Sequence, residues 1–169
     1  LRDTVADMIA ESGPIEAGRL VRILGRRYGM KRMSAKRADA VMALVPSNQI
    51  HQSDFGVFAW PAETDPSTWR VERMQSSAMD RPLPEVPPEE ILNAIRWVLS
   101  HDGPSVGDDL IRAVLGEFGQ NRLTVQAKQR VEAVLAWGLA KGSLNFAPSG
   151  YVVTDAKQAE TVSWPASDA

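Results

Sequence analysis

Apolar residues recur at helical spacing in three short runs, then give way to alternation, and the whole succession is repeated once. Val5, Met8 and Ile9 lie on one face of a predicted helix that Asp3 or Thr4 would cap and that runs to about Ser12. Gly13-Pro14 ends it, because proline cannot continue the hydrogen-bond ladder. A second helix is predicted from about Glu16 to Tyr28. Ala17, Leu20, Val21, Leu24 and Tyr28 form its buried stripe, and Arg19, Arg22 and Arg26 face outward. Gly29 suits the left-handed residue that closes such a helix. Ser34 is the expected N-cap of a third helix that ends near Val45-Pro46, with Ala38, Val41, Met42 and Val45 facing inward. Beyond Asn48 the period shortens to that of strands. Ile50-His51-Gln52 and Val57-Phe58-Ala59-Trp60 flank the turn signal Ser53-Asp54-Phe55-Gly56, which predicts a hairpin.

The pattern restarts at Glu89. Ile91, Ile95, Val98 and Leu99 mark one helix, interrupted at Gly103-Pro104. Leu110, Ile111, Val114, Leu115 and Phe118 mark a second, stopped at Gly119. Thr124 caps a third, with Val131, Val134, Leu135 and Gly138 inward. Leu144-Asn145-Phe146 and Tyr151-Val152-Val153 flank Pro148-Ser149-Gly150 as a second hairpin. At an offset of 90, Gly13, Pro14, Leu20, Arg22, Gly29, Arg32, Val41 and Ala43 recur as Gly103, Pro104, Leu110, Arg112, Gly119, Arg122, Val131 and Ala133. After a four-residue insertion, Ile50, Gly56 and Phe58 align with Leu144, Gly150 and Val152. The expectation is a mainly α chain with small β-wings (α+β): two tandem winged-helix-like units at 1–60 and 89–155. A proline-rich acidic linker at 61–88, with a strand at Trp69-Arg70-Val71 and an extended spacer at Pro82–Pro88, would join them and pack in part against a neighbour, and 156–169 would be a disordered tail.

Composition adds boundaries more than detail. The 169 residues are 44% hydrophobic and 24% charged, as in ordinary globular chains. No apolar run nears the ~20 residues that cross a bilayer, and no signal peptide is visible. The absence of cysteine rules out disulfides and thiolate metal sites and is compatible with a cytoplasmic location. A start at Leu1 rather than Met suggests a piece cut from a longer protein, with a processed product as the alternative.

Charge is more informative in its distribution than in its sum of −2. Residues 1–60 carry 9 Lys+Arg against 6 Asp+Glu, whereas residues 89–155 carry 6 against 8. Six of the twelve residues from Arg26 to Arg37 are basic. Arg26 and Arg27 suit the last turn of a helix, where the backbone dipole favours cations. Arg32 and Arg122 occupy equivalent places in both repeats and read as structural residues that bond free helix-end carbonyls. Lys36 and Arg37 fall in the first turn of the third helix, where the dipole disfavours them, so local structure does not account for them. The N-terminal part of such a helix meets phosphates or the major groove in helix-turn-helix proteins. The candidate nucleic-acid contacts are therefore Lys31, Arg32, Lys36 and Arg37, with Lys128 and Arg130 as weaker counterparts beside the acidic Asp108, Asp109 and Glu117. Trp137 lies outside the tightest apolar stripe, as a core residue or an interface anchor.

No catalytic pattern appears. His51 and His101 sit at unrelated repeat positions without spaced carboxylates for a metal, and no phosphate loop, nucleophile elbow or dinucleotide fingerprint occurs. No cofactor or small-molecule substrate is expected.

The repeats, the Tyr28-Gly29-x-x-Arg32 step and Val86-Pro87-Pro88-Glu89-Glu90-Ile91 resemble the C-terminal domain of unknown function of large bacterial superfamily-one helicase-like proteins, over about residues 4–153. Met33-Ser34 and Leu123-Thr124 stand where that family often has glycine. The resemblance implies an accessory module without catalytic residues, attached to an ATP-dependent helicase or nuclease. The expected function is binding of duplex or forked DNA. The alternatives are a docking module that packs on the parent's helicase or nuclease domains, and a stand-alone regulator, for which a clear dimerisation helix is missing.

Overall fold

The computed structural model describes residues 1–154 and the backbone of residues 162–165. The chain forms two compact units. One is built from Leu1–Pro66 and Pro84–Pro87, the other from Ser67–Leu83 and the described residues after Pro87.

The first unit runs α1 (Arg2–Ser12), β1 (Ile15–Glu16), α2 (Ala17–Arg27), α3 (Ala35–Met42), β2 (Ile50–Ser53) and β3 (Gly56–Ala59). Its three strands form one antiparallel sheet in the order β1-β3-β2. Val5, Met8 and Ile9 from α1, Leu20, Val21 and Leu24 from α2, and Val41 and Val45 in and after α3 make the core, closed by Ile15 and Ala59 from the sheet. Ala38 and Met42 are partly buried against it.

Several local expectations are met by the geometry. Ser34 Oγ accepts the Arg37 backbone N–H, and Thr124 Oγ1 accepts that of Ala127, so both third helices begin at their capping hydroxyls. Gly29 adopts φ 71° and Gly119 φ 66°. At the first, Met30 N–H reaches Gly25 O and Gly29 N–H reaches Arg26 O; at the second, Gln120 reaches Leu115 and Gly119 reaches Gly116. Both are the paired closing bonds that glycine permits at a helix C-terminus.

Other expectations are corrected. Helix α1 starts after Leu1, and neither Asp3 nor Thr4 caps it. Glu16 is not helical: it lies in β1, and its carboxylate caps α2 by accepting from Gly18 and Arg19 N–H. Tyr28 is 52% exposed rather than buried. Arg19 is not fully outward, because it and Arg22 both donate to Glu85.

The second unit contains α4 (Pro88–Asp102), α5 (Gly107–Glu117), α6 (Val125–Ala140), β5 (Leu144–Ala147) and β6 (Gly150–Val153). An antiparallel bridge between Ser105 and Tyr151 occupies the place of β1. The order of elements therefore repeats that of the first unit, and Gly150 repeats the positive φ of Gly56, 119° against 125°. The four-residue insertion accompanies a longer third helix, 16 residues in α6 against 8 in α3, and a shorter connection to the hairpin. Every apolar position predicted for these helices is buried.

Residues 61–88 are divided between the two units. Within them, β4 (Val71–Met74) belongs to the second unit and packs on α4, where Asn93 Nδ2 donates to the carbonyls of Trp69 and Val71. The Glu90 carboxylate, with no exposed surface, receives Arg73 and Arg81, and Arg81 also reaches the Arg73 carbonyl. Burying charges is costly unless each is paired and hydrogen-bonded, and this cluster meets both conditions for Glu90. Most of the tail expected to be disordered, 156–161 and 166–169, lies outside the described residues. Its described part forms β7 (Val162–Pro165), paired in parallel with β4.

The expected α+β class is thus observed, with six α-helices and small sheets among the described residues.

Candidate nucleic-acid interface

The candidate contacts lie on the turn between α2 and α3 and on the first turn of α3, all in the first unit. The closing bonds at Gly29 reverse the chain after α2, and the Ser34 cap fixes where α3 begins. Together they hold Lys31, Arg32, Lys36 and Arg37 at one end of the helix pair. Arg26, Arg27, Lys31, Arg32, Lys36 and Arg37 are all exposed. None of the six makes an ion pair among the described residues; the Arg37 guanidinium instead approaches Met30 Sδ at 3.7 Å. Arg32 and Arg122, expected to bond helix-end carbonyls, make no side-chain hydrogen bond among the described residues. The glycine-dependent backbone bonds already satisfy those helix ends.

Several other cations are differently placed, though Arg2 and Arg112 are likewise exposed without an ion pair among the described residues. Arg19 and Arg22 are held by Glu85, and Arg73 and Arg81 by Glu90. In the second unit, Lys128 Nζ sits 2.6 Å from Asp108 Oδ1. That hydrogen bond raises the lysine's pKa and lowers the aspartate's, since each stabilises the charged form of the other. Arg130 is half-buried, and burial lowers its pKa. The two units differ at the repeat-equivalent positions as well. Arg26, Arg27, Lys31, Lys36 and Arg37 become Gly116, Glu117, Asn121, Gln126 and Ala127, so only Arg122 preserves a cation. The structure brings the four first-unit candidates together, and Lys128 and Arg130 belong to the other unit.

Beside the basic turn lies a groove of about 460 Å³, lined by Leu24, Tyr28, Met30, Met33, Arg37 and Val41 among others. Sequence reasoning missed it because Tyr28 was assigned to the core. Tyr28 stands at the C-cap of α2, three residues past Gly25, the last buried residue of that helix.

Trp137 is half-buried, and Lys141 Nζ stands 4.3 Å from the centre of its ring. Among the described residues no three His, Asp or Glu side chains are grouped to hold a metal ion, and no helix is long and apolar enough to cross a membrane. No family model, no curated protein and no solved structure matches this chain.

Proposed function

We propose that the chain is a non-enzymatic nucleic-acid-binding module, with the first unit acting as a winged helix that grips duplex or forked DNA. The observation that carries this reading is the division of the cations. Arg19 and Arg22 of the same unit are tied to Glu85, whereas the six around the turn into α3 make no ion pair among the described residues and are open to an external polyanion. A winged-helix assignment is supported by the succession α1-β1-α2-α3-β2-β3 and the sheet order β1-β3-β2, which leaves β2-β3 as the wing. On that assignment α3 is the recognition helix, and Lys36 and Arg37 stand at its leading end.

The exposed residues of α3 beyond Arg37 are Asp39 and Ala40, followed by Ala43 at its end. These offer few groups able to read base edges, so contact is with phosphate and sequence preference is weak. The resemblance to helicase-associated domains supports a place beside an ATP-dependent motor carried by another part of the parent protein. The docking alternative applies best to the second unit, whose Lys128 is neutralised by Asp108.

Fluorescence anisotropy with labelled forked DNA at low and physiological salt tests the proposal. The intact chain is expected to bind at low salt and weaken as salt rises, and Lys36→Glu with Arg37→Glu to bind at least tenfold less tightly, about 1.4 kcal/mol. Absence of binding at low salt, or equal binding by the double variant, would sink it.

A further inference from the structure

The two units differ most usefully at the corner that closes the second helix. In the second unit this corner, Phe118-Gly119-Gln120, is covered by the chain itself. The Gln75 backbone N–H donates to the Glu117 carbonyl at 3.1 Å. Ser76 and Ser77 lie so close that a Cβ on Gly119 would come within 2.5 Å of the Ser77 nitrogen. Phe118 is left only 1% exposed. The first unit has the same corner, Tyr28-Gly29-Met30, with the same closing bonds, but it is bare. A Cβ on Gly29 would meet nothing within 4 Å, Tyr28 is 52% exposed, and the apolar groove opens beside it.

We infer that this corner of the first unit is a docking site for an extended, acidic polypeptide segment that lies across Tyr28-Gly29-Met30 as residues 75–77 lie across Phe118-Gly119-Gln120, with an apolar side chain in the groove. The backbone geometry of the site is the one already occupied in the second unit. The acidic character follows from charge complementarity. Arg27 stands where the second unit has Glu117, Arg37 where it has Ala127, and neither arginine has an ion-pair partner among the described residues. Met30 and Met33 replace Gln120 and Leu123 in the groove wall, and methionine adapts its shape to varied apolar side chains. Unpaired nucleobases fit the groove less well. Sites for single strands stack successive bases on several aromatic side chains, and Tyr28 is the sole aromatic residue in this lining.

The inference is independent of nucleic-acid binding by Lys36, which does not line the groove. A ten-residue peptide copying residues 71–80, and the same peptide carrying Arg73→Glu, are titrated into the isotopically labelled full chain and followed by amide chemical shifts. Saturable shifts are expected at residues 24–33 and 37–41, with the Arg73→Glu peptide binding severalfold more tightly than the copy. Tyr28→Ala should abolish saturation. Ala40→Glu, a change at an exposed groove position that leaves the core intact, should weaken the acidic peptide about fivefold or more through like-charge repulsion. Lys36→Glu should leave the shifts at the groove in place. Absence of shifts there at millimolar peptide, equal shifts from a scrambled peptide, or preferential filling of the groove by a thymidine overhang would each overturn the inference. None of these would touch the anisotropy result on Lys36, which lies outside the groove lining, whereas Arg37 is shared by both readings.

Discussion

Gly119 lies against Ser76 backbone to backbone: a Cβ on the glycine would stand 2.6 Å from the Ser76 carbonyl carbon. Gly29, its equivalent in the first unit, shares the positive φ but faces open space. Alanine at Gly29 therefore incurs only the left-handed backbone penalty, about 1 kcal/mol. At Gly119 the same penalty is joined by displacement of the 76–77 backbone, for a total of about 3 kcal/mol. Urea unfolding of the two variants should rank them in that order, and equal midpoints would contradict the close approach.

Glu90 offers a second stability test. Removing it by Glu90→Ala leaves Arg73 and Arg81, both nearly fully buried, without their shared carboxylate. The expected loss is about 3–5 kcal/mol in urea or thermal unfolding. Replacing Glu90, Arg73 and Arg81 together with apolar residues of similar volume should cost less, because the carboxylate and both guanidinium groups are removed together.

Salt dependence should separate the two sets of cations. Changing Lys36 or Arg37 singly to glutamine is expected to lower the log–log salt slope for forked DNA by roughly one unit each. Lys128→Gln and Arg130→Gln should leave that slope unchanged, since one charge is bound to Asp108 and the other is half-buried.

The pH dependence of Glu89 has a definite sign. Burial raises its pKa above the ordinary glutamate value, against the opposing effects of a backbone hydrogen bond and Lys141. The folded state thus holds this proton more tightly than the unfolded chain does. Folding is favoured below the ordinary value, and this contribution is lost as pH rises through the elevated one. Glu89→Gln should accordingly stabilise the protein at neutral pH, with the advantage shrinking as pH falls toward 4 in urea titrations. A difference that does not vary with pH would argue against a raised pKa.

The helices and hairpins were legible because their signals are local. Ser34 and Thr124 cap within three residues, and Gly29 and Gly119 close within five. Strand β1 was missed because two residues, Ile15 and Glu16, carry no periodicity, and the strand exists only through pairing with Ala59 and Phe58. The ionic cluster was missed for a related reason: Arg73 and Arg81 stand in a polar, proline-rich stretch that looks solvated until α4 brings Glu90 against it. At the candidate site, the first-unit cations were visible as a charge run. What the sequence could not reveal was which arginines were already neutralised, since Glu85 is more than sixty residues from Arg19 and Arg22. The bare groove was also hidden, because aromatic-Gly reads alike at Tyr28 and Phe118 whether or not another segment covers it.

The parallel pairing of β4 with β7 has a mechanical consequence. One strand enters the second unit and the other follows its hairpin, so the pair brackets α4, α5, α6 and β5-β6. Tension applied at the start of β4 and the end of β7 would act along parallel neighbours in opposite directions. Their hydrogen bonds would be loaded in shear, all at once, rather than peeled open one after another. The helices between them would bear no load until that clasp gave way.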